Sequence, residues 1–407
     1  MITHKALYIS NLDNKKALID AIIYKGLFGD LSHLKGAFFS EITINKFIEE
    51  ERTHGIYQVK TDKINSLQFA SQGERKKALL QYIISKSPDY IVVDNLLGSL
   101  DVSFQQEIQS VFLKLSQTTL IIQIENRVGD FLPFIEHIYQ IKNNSLVLLV
   151  NHTDNKFSNP FLESLPSSDY LDNQVYHPVI KFNNVSVSYG DRTILSHINW
   201  EIKQGEFWQL IGPNGSGKST ILSMIFGDNP KAFGQDITLF GVKKGSGESV
   251  WEIKRKIGYF SSEMLRGFKR LDSIGNMIVS GFFDTIGLYK QPTNQQIKSA
   301  QQWLHVLGLF EKRKESFLSL SKGHQSLVLI ARAMVKHPPL LILDEPTNGL
   351  DDHDVKLFSQ LINKIAKETN TTILYVSHRL EEGLLKPDFI YELTTSETGS
   401  TGKVLEH

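Results

Sequence analysis

The sequence predicts an α/β protein of two tandem domains, each a mostly parallel sheet flanked by helices. Three observations predict it. A glycine-rich stretch, GPNGSGKS at 212–219, lies between an apolar run and a helical pattern. A second apolar run, 340–343, closes on an acidic pair. The pattern of the second half also recurs, worn down, in the first. A chain of 407 residues is in any case too long for one ordinary core.

The glycine-rich stretch fits G-x-x-x-x-G-K-[ST] in full, the pattern of a loop that cradles phosphate. Residues 207–211 read as a buried parallel strand, and 220–226 as a helix packed back on it. The chemistry needs this composition. Gly212, Gly215 and Gly217 let the backbone N–H groups around Asn214 and Ser216 curl toward one anion, at the positive end of a helix. Lys218 is placed to reach the β- and γ-phosphates, Ser219 to bind Mg²⁺ and Thr220 to touch the α-phosphate. The stretch predicts a nucleoside triphosphate site.

Around it, residues 179–189 alternate like an edge strand ending at Tyr189, residues 256–263 read as a strand leaving the core, and 272–307 is mainly helical. Ser321-Lys322-Gly323-His324 opens a helix from Gln325 to Lys336, which Pro338 and Pro339 stop. The strand at 340–343 then delivers Asp344 and Glu345 to the carboxyl end of a parallel sheet, where ligands bind in open α/β folds. Asp344 is suited to hold Mg²⁺, usually through water, and Glu345 to polarise the attacking water. A further strand, 372–376, delivers Ser377 and His378, the latter a candidate γ-phosphate contact.

Together with Asn348, Gly349, Leu350 and Asp351, these segments resemble the ATP-binding cassette (ABC) ATPases. The phosphate loop, the LSKGH signature, the LILDEP strand and the Ser-His switch stand in that family's order. The resemblance implies the P-loop NTPase fold, ATP and Mg²⁺ as cofactors, and ATP hydrolase activity. It also implies a site completed only when a second cassette brings its signature loop across. Tyr189, 29 residues before Lys218, becomes a candidate for stacking on adenine. WQLIGPNGSGKST and IGYFSS are most similar to the ModF group, associated with molybdate and also called photorepair ATPases. Ser262 stands where many cassettes carry glutamine.

The first half overlays the second. Ser71, Gly73 and Asp94 match Ser321, Gly323 and Asp344, with 23 residues from the serine to the aspartate in both. Ser99-Leu100-Asp101 matches Gly349-Leu350-Asp351, and residues 7–18 overlay 210–221, keeping Asn11 and Lys15. The catalytic positions differ. Ile9, Leu12 and Asn14 replace the three glycines, Lys16 replaces Ser219, Asn95 replaces Glu345, and Glu125 falls where His378 does. Side chains in place of the glycines block the backbone's approach to phosphate. From Lys15 to Asp94 is 79 residues, against 126 from Lys218 to Asp344, so the helical arm of this half is reduced. The half is expected to bind no ATP of its own and to lend Ser71 and Gly73 to the γ-phosphate held by Lys218. Pairing of second domains from two copies, with Ser321 on the partner's nucleotide, is the alternative.

Domains are expected at 1–150 and 178–404, joined by a polar linker at 151–177 whose Phe157, Phe161 and Tyr170 lie along a surface; 405–407 reads as a tag remnant. Hydrophobic residues at 41%, charged residues at 22% and zero formal net charge give no broad nucleic-acid-binding surface. The absence of cysteine excludes disulfides and cysteine-held metal. No apolar run reaches the length of a bilayer span and the start has no signal layout, so the expected location is cytoplasmic, at most peripheral to the inner membrane. Transport would then need a separate permease. A soluble nucleotide-gated switch acting on a protein or nucleic acid is the rival role.

Overall fold

The computed structural model describes residues 2–61, 66–98, 100–143, 145–149, 160–167, 175–267, 272–285 and 287–405. Ser99, Phe157, Tyr170, Glu406, His407 and most of the expected linker lie outside them. The chain divides into two compact units, Met1–Phe157 and Ser158–His407. Of the linker aromatics, Phe161 is described, and it is buried in the core of the second unit.

The first unit runs β1 (Lys5–Tyr8), α1 (Lys15–Tyr24), β2 (Gly36–Phe39), α2 (Glu41–His54), α3 (Gln72–Ser85), β3 (Tyr90–Asp94), α4 (Val102–Leu115), β4 (Leu120–Glu125), β5 (His137–Lys142) and β6 (Ser145–Leu148). Its six strands form one sheet in the order β2-β3-β4-β1-β5-β6, parallel except for the final β5–β6 pair. All of β3 and nearly all of β4 are buried, as befits mostly apolar central parallel strands, and Gln123 and Glu125 of β4 are buried polar residues among them.

The second unit begins with β7 (Ile180–Tyr189), β8 (Arg192–Ile202), β9 (Phe207–Ile211), α5 (Lys218–Ile225), β10 (Ile237–Leu239), β11 (Val242–Lys243), α6 (Val250–Arg255) and β12 (Ile257–Ser261). It continues with α7 (Met264–Gly267), α8 (Ile274–Val279), α9 (Asn294–Val306), α10 (Lys322–Met334), β13 (Leu340–Asp344), α11 (Asp352–Glu368), β14 (Thr372–Val376), β15 (Phe389–Thr394) and β16 (Thr401–Leu405). Its main sheet has the order β12-β13-β14-β9-β15-β16. Counted from the first strand of each unit's main sheet, this is the same permutation as in the first unit. An additional antiparallel sheet, β11-β10-β7-β8, belongs to the second unit.

Two expected secondary-structure features differ from the structure. The strand ending at Tyr189 is not an edge strand, because β7 pairs with β8 on one side and β10 on the other. Alternation reports that one face is buried, which is equally true of inner antiparallel strands. The helix after the LSKGH sequence also starts earlier than Gln325, at Lys322, because the Ser321 side chain caps it by accepting from the His324 N–H.

The register of the sheets fixes the correspondence between units. Asp94 lies opposite Ile124, and Ile124 opposite Leu7; Asp344 lies opposite Val376, and Val376 opposite Leu210. Glu125 therefore occupies the position of Ser377, and Asn126 that of His378. The expected match of Glu125 to His378 is thus off by one residue, because α4, at 14 residues, is shorter than α11, at 17, and spacing across helices of unequal length does not set the register of the strand that follows.

Candidate nucleotide site

The site is built where β9 turns into α5. The turn requires glycine at two points especially. At Gly212 (φ +153°) an added Cβ would lie 2.8 Å from the Leu393 carbonyl oxygen, and at Gly217 (φ +94°) 2.5 Å from Leu195 Cδ2. Both backbone conformations disfavour L side chains, so space and dihedral angle select the same residue. Gly215 also has positive φ but stands in open space, and Asn214 is exposed beside it.

No side chain caps α5, whose N-cap residue is Gly217. Its first N–H groups and dipole therefore face the loop, a ready anion site. The Ser216 hydroxyl is buried there without a hydrogen-bond partner among the described residues. Lys218 Nζ donates to the carbonyls of Gly212 (2.6 Å) and Pro213 (3.2 Å) and lies 3.3 Å from His378 Nε2. The ammonium is thus held at the mouth of the loop.

Glu345 follows β13 with φ +43°, a left-handed conformation that a glutamate adopts only at a cost. Its N–H is fixed by the Val376 carbonyl at 2.8 Å, and its carboxylate lies 3.7 Å from His378 Nε2 and accepts from Ser377 Oγ at 3.4 Å. Burial pushes its carboxyl up to about 7, and Lys218 pulls the other way. The structure brings Lys218, His378 and Glu345 together, as a site that handles a γ-phosphate and a water requires.

Asp344 ends β13 and is raised above the usual carboxylate range, chiefly by burial, while accepting from Tyr259 OH at 3.2 Å. Ser219 is exposed on the first turn of α5, and Thr220 follows it. A hydroxyl and a half-buried carboxylate that gains from a neighbouring cation are hard oxygen donors that fit Mg²⁺. When bound, the ion would offset charge on the phosphates.

Tyr189 ends β7, about half exposed, and its hydroxyl accepts from Asn229 Nδ2 at 3.0 Å. Asn229, on the loop after α5, did not stand out in the sequence; the Asn-Pro pair at 229–230 signals only a turn.

In the first unit the corresponding loop is filled by its own side chains. Asn14 caps α1, its Oδ1 accepting from the Ala17 N–H at 3.1 Å. Asp13 Oδ2 accepts from the Ser10 N–H (2.7 Å) and hydroxyl (2.9 Å). Lys15 forms an ion pair with Asp94, and Ile9, in place of Gly212, is buried in the core. Asn95 has φ +52°, matching Glu345 in backbone but carrying no charge. Glu125 is fully buried, accepts from the Leu96 N–H (2.8 Å) and Gln123 Nε2 (3.1 Å), and is pushed up to about 8 by burial.

Lys76 is the residue that sequence reasoning missed. It is buried in α3 and donates to the carbonyls of Asn95, Leu96 and Gly98, each at 3.0 Å. The visible signal was a lysine heading the apolar stripe of Leu79, Leu80 and Ile83.

The two signature-like loops differ as well. Ser71 caps α3, and its hydroxyl donates to Glu74 Oε2 at 2.8 Å. Ser321 caps α10 and its hydroxyl lies 2.9 Å from His324 Nδ1. A Cβ on Gly323 would collide with Asp354 Oδ1 at 1.9 Å, whereas one on Gly73 meets nothing closer than 4.0 Å.

The profile of the ABC transporter family matches residues 195–348. Over 330 residues the chain is 36% identical to the ABC transporter ATP-binding protein ModF of Escherichia coli K12, covering 77% of this chain and 67% of that protein. It is 27% identical over 331 residues to an uncharacterised ABC transporter ATP-binding protein of Schizosaccharomyces pombe, covering 78% and 66% respectively. Among solved structures, cbiO1 from Clostridium perfringens, part of the ABC transporter complex cbiONQ, aligns at TM-score 0.48 and 25% identity, over 56% of this chain and 87% of that one.

Proposed function

We infer, from the premise that this chain belongs to the ABC transporter ATP-binding protein family and is an ATP hydrolase, that one Mg-ATP is bound and cleaved at the loop of the second unit. The observation that carries this reading is the uncapped N-terminus of α5, with Lys218, His378 and Glu345 converging beside it. Lys218 steadies the transferring phosphoryl, His378 contacts its oxygens, and Glu345 orients and polarises the attacking water. Ser219 and Asp344 hold Mg²⁺. Tyr189 stacks on the base, and Gly212, Asn214, Gly215, Ser216, Gly217 and Thr220 enclose the phosphates.

We propose further that the site is composite within one chain, with Ser71 and Gly73 supplying the second wall. Support comes from Gly73 being glycine where packing leaves room for a side chain. One observation favours the homodimeric alternative. Glu74 places a carboxylate on the Ser71 hydroxyl, which repels a phosphate, while Ser321 has an imidazole at the same place. Ser71→Arg should abolish ATPase activity in the intrachain arrangement and Ser321→Arg in the homodimer. The mass of ATP-trapped Glu345→Gln protein must agree, monomeric in the first case and dimeric in the second.

Among the described residues no helix is long and apolar enough to cross a membrane. The family supports the proposed role of ATP-binding subunit of a transport system, molybdate-type or other, acting through a separate permease. Co-purification of a membrane protein with the trapped form is the expected result. A steep salt-dependent affinity for nucleic acid instead would replace transport with a nucleotide-gated switch.

A further inference from the structure

The phosphate-binding helix α5 and the candidate base-stacking ring are joined by a continuous hydrogen-bonded relay. The Ser223 hydroxyl, on α5, donates to the Thr220 carbonyl at 2.7 Å and accepts from Asn229 Nδ2 at 3.0 Å. The same Nδ2 donates its other proton to Tyr189 OH at 3.0 Å. Asn229 Oδ1 accepts from the Lys231 N–H at 3.0 Å, and the Asn229 N–H donates to the Ser223 carbonyl at 3.1 Å. Every polar group of the Asn229 side chain is thus used, and the residue is only 6% exposed. Lys231 Nζ also lies over the Tyr189 ring, 6.0 Å from its centroid.

A half-exposed tyrosine at a strand end has rotational freedom unless its far end is held. Here the hydroxyl is the tethered atom, and the tether is buried and saturated. We propose that Asn229 is a positioning residue for nucleotide binding: it fixes the Tyr189 ring at a set distance from the phosphate-binding helix, so that base and triphosphate are received together. This rests on the reading of Tyr189 as the base-stacking group. The benefit is preorganisation, which appears in affinity for the whole nucleotide and leaves the phosphoryl transfer step alone.

The test is steady-state ATPase kinetics of the full chain, with inorganic tripolyphosphate as a competitive inhibitor that has no base. Asn229→Ala and Tyr189→Phe should each raise KM for ATP about 3- to 10-fold, the range lost with one hydrogen bond, with kcat unchanged. The double variant should be no worse than the more affected single one, because both remove the same bond. Tyr189→Ala should raise KM further, and the inhibition constant of tripolyphosphate should stay the same throughout.

A raised KM in Tyr189→Ala with no change in Asn229→Ala or Tyr189→Phe would overturn the proposal. So would weakened tripolyphosphate inhibition in Asn229→Ala, which would put Asn229 in the service of α5 alone. An unchanged KM in Tyr189→Ala would instead remove the stacking reading on which the proposal rests. Tyr189→Phe keeps the test decisive if Asn229→Ala fails to fold, since it breaks the bond from the exposed side.

Discussion

The helices α1 and α5 start from matching positions in two sheets of identical strand order, yet one end is closed and the other open. At α5 a glycine N-cap leaves the first amides to an incoming anion, and Lys218 waits on carbonyls that bind it only weakly in water. At α1 the asparagine cap takes an amide, Asp13 takes two donors of Ser10, and the lysine is neutralised by Asp94. The difference teaches how a phosphate loop is retired without losing the fold. These groups, which a nucleotide would otherwise satisfy, have protein partners, so the unit keeps its sheet while an amide of its helix end and its loop lysine are occupied from within. Even the left-handed position after the third strand survives, now as Asn95, a residue that tolerates such a backbone better than Glu345 does.

The comparison can be broken most forcefully at the two lysines. Lys218→Ala should lower ATP turnover by at least about a hundredfold, the scale of losing one charge aimed at the transferring phosphoryl. Retained turnover, measured as released phosphate, would remove Lys218 from the site. Gly217→Ala adds a Cβ at φ +94° and 2.5 Å from Leu195, so ATP affinity by calorimetry should weaken about tenfold or more. The corresponding Asn14→Ala in the first unit should cost only about 1 kcal/mol of stability from the lost cap, leaving ATP affinity intact.

Glu125 sharpens the contrast on the stability side. Its carboxyl moves from an ordinary 4.5 to about 8 in the fold, mainly by burial. Between those pH values the folded unit holds a proton that the unfolded chain has released, so stability declines as pH rises through that window. Glu125→Gln keeps an acceptor for the Leu96 N–H and does not titrate. Its advantage in urea unfolding should grow from pH 4.5 to about 8, reaching on the order of a few kcal/mol. An advantage independent of pH would mean that the carboxyl ionises normally in the fold. The smallest effect belongs to Lys15→Ala, which should leave ATP affinity and turnover unchanged. Any loss of bound nucleotide in that variant would reopen the first unit as a binding site.

The sequence by itself determined the candidate nucleotide site and the repeat. Gly212 to Ser219, Asp344–Glu345 and Ser377–His378 each lie on one short segment, because a phosphate loop and a strand-end carboxylate are local devices whose geometry follows from neighbouring residues. The spacing from Ser71 to Asp94 likewise carried the second cassette across its altered residues. Tertiary structure decided the rest. Strand register moved Glu125 from the position of His378 to that of Ser377, a difference of one residue that no count across helices of unequal length could resolve. Packing also decided that Lys76 would be buried against three carbonyls, that Asn229 would hold Tyr189, and that β7 would lie inside its sheet. The physical reason is the same in each case. These features join residues from different elements, and only the folded sheet sets the distance between them.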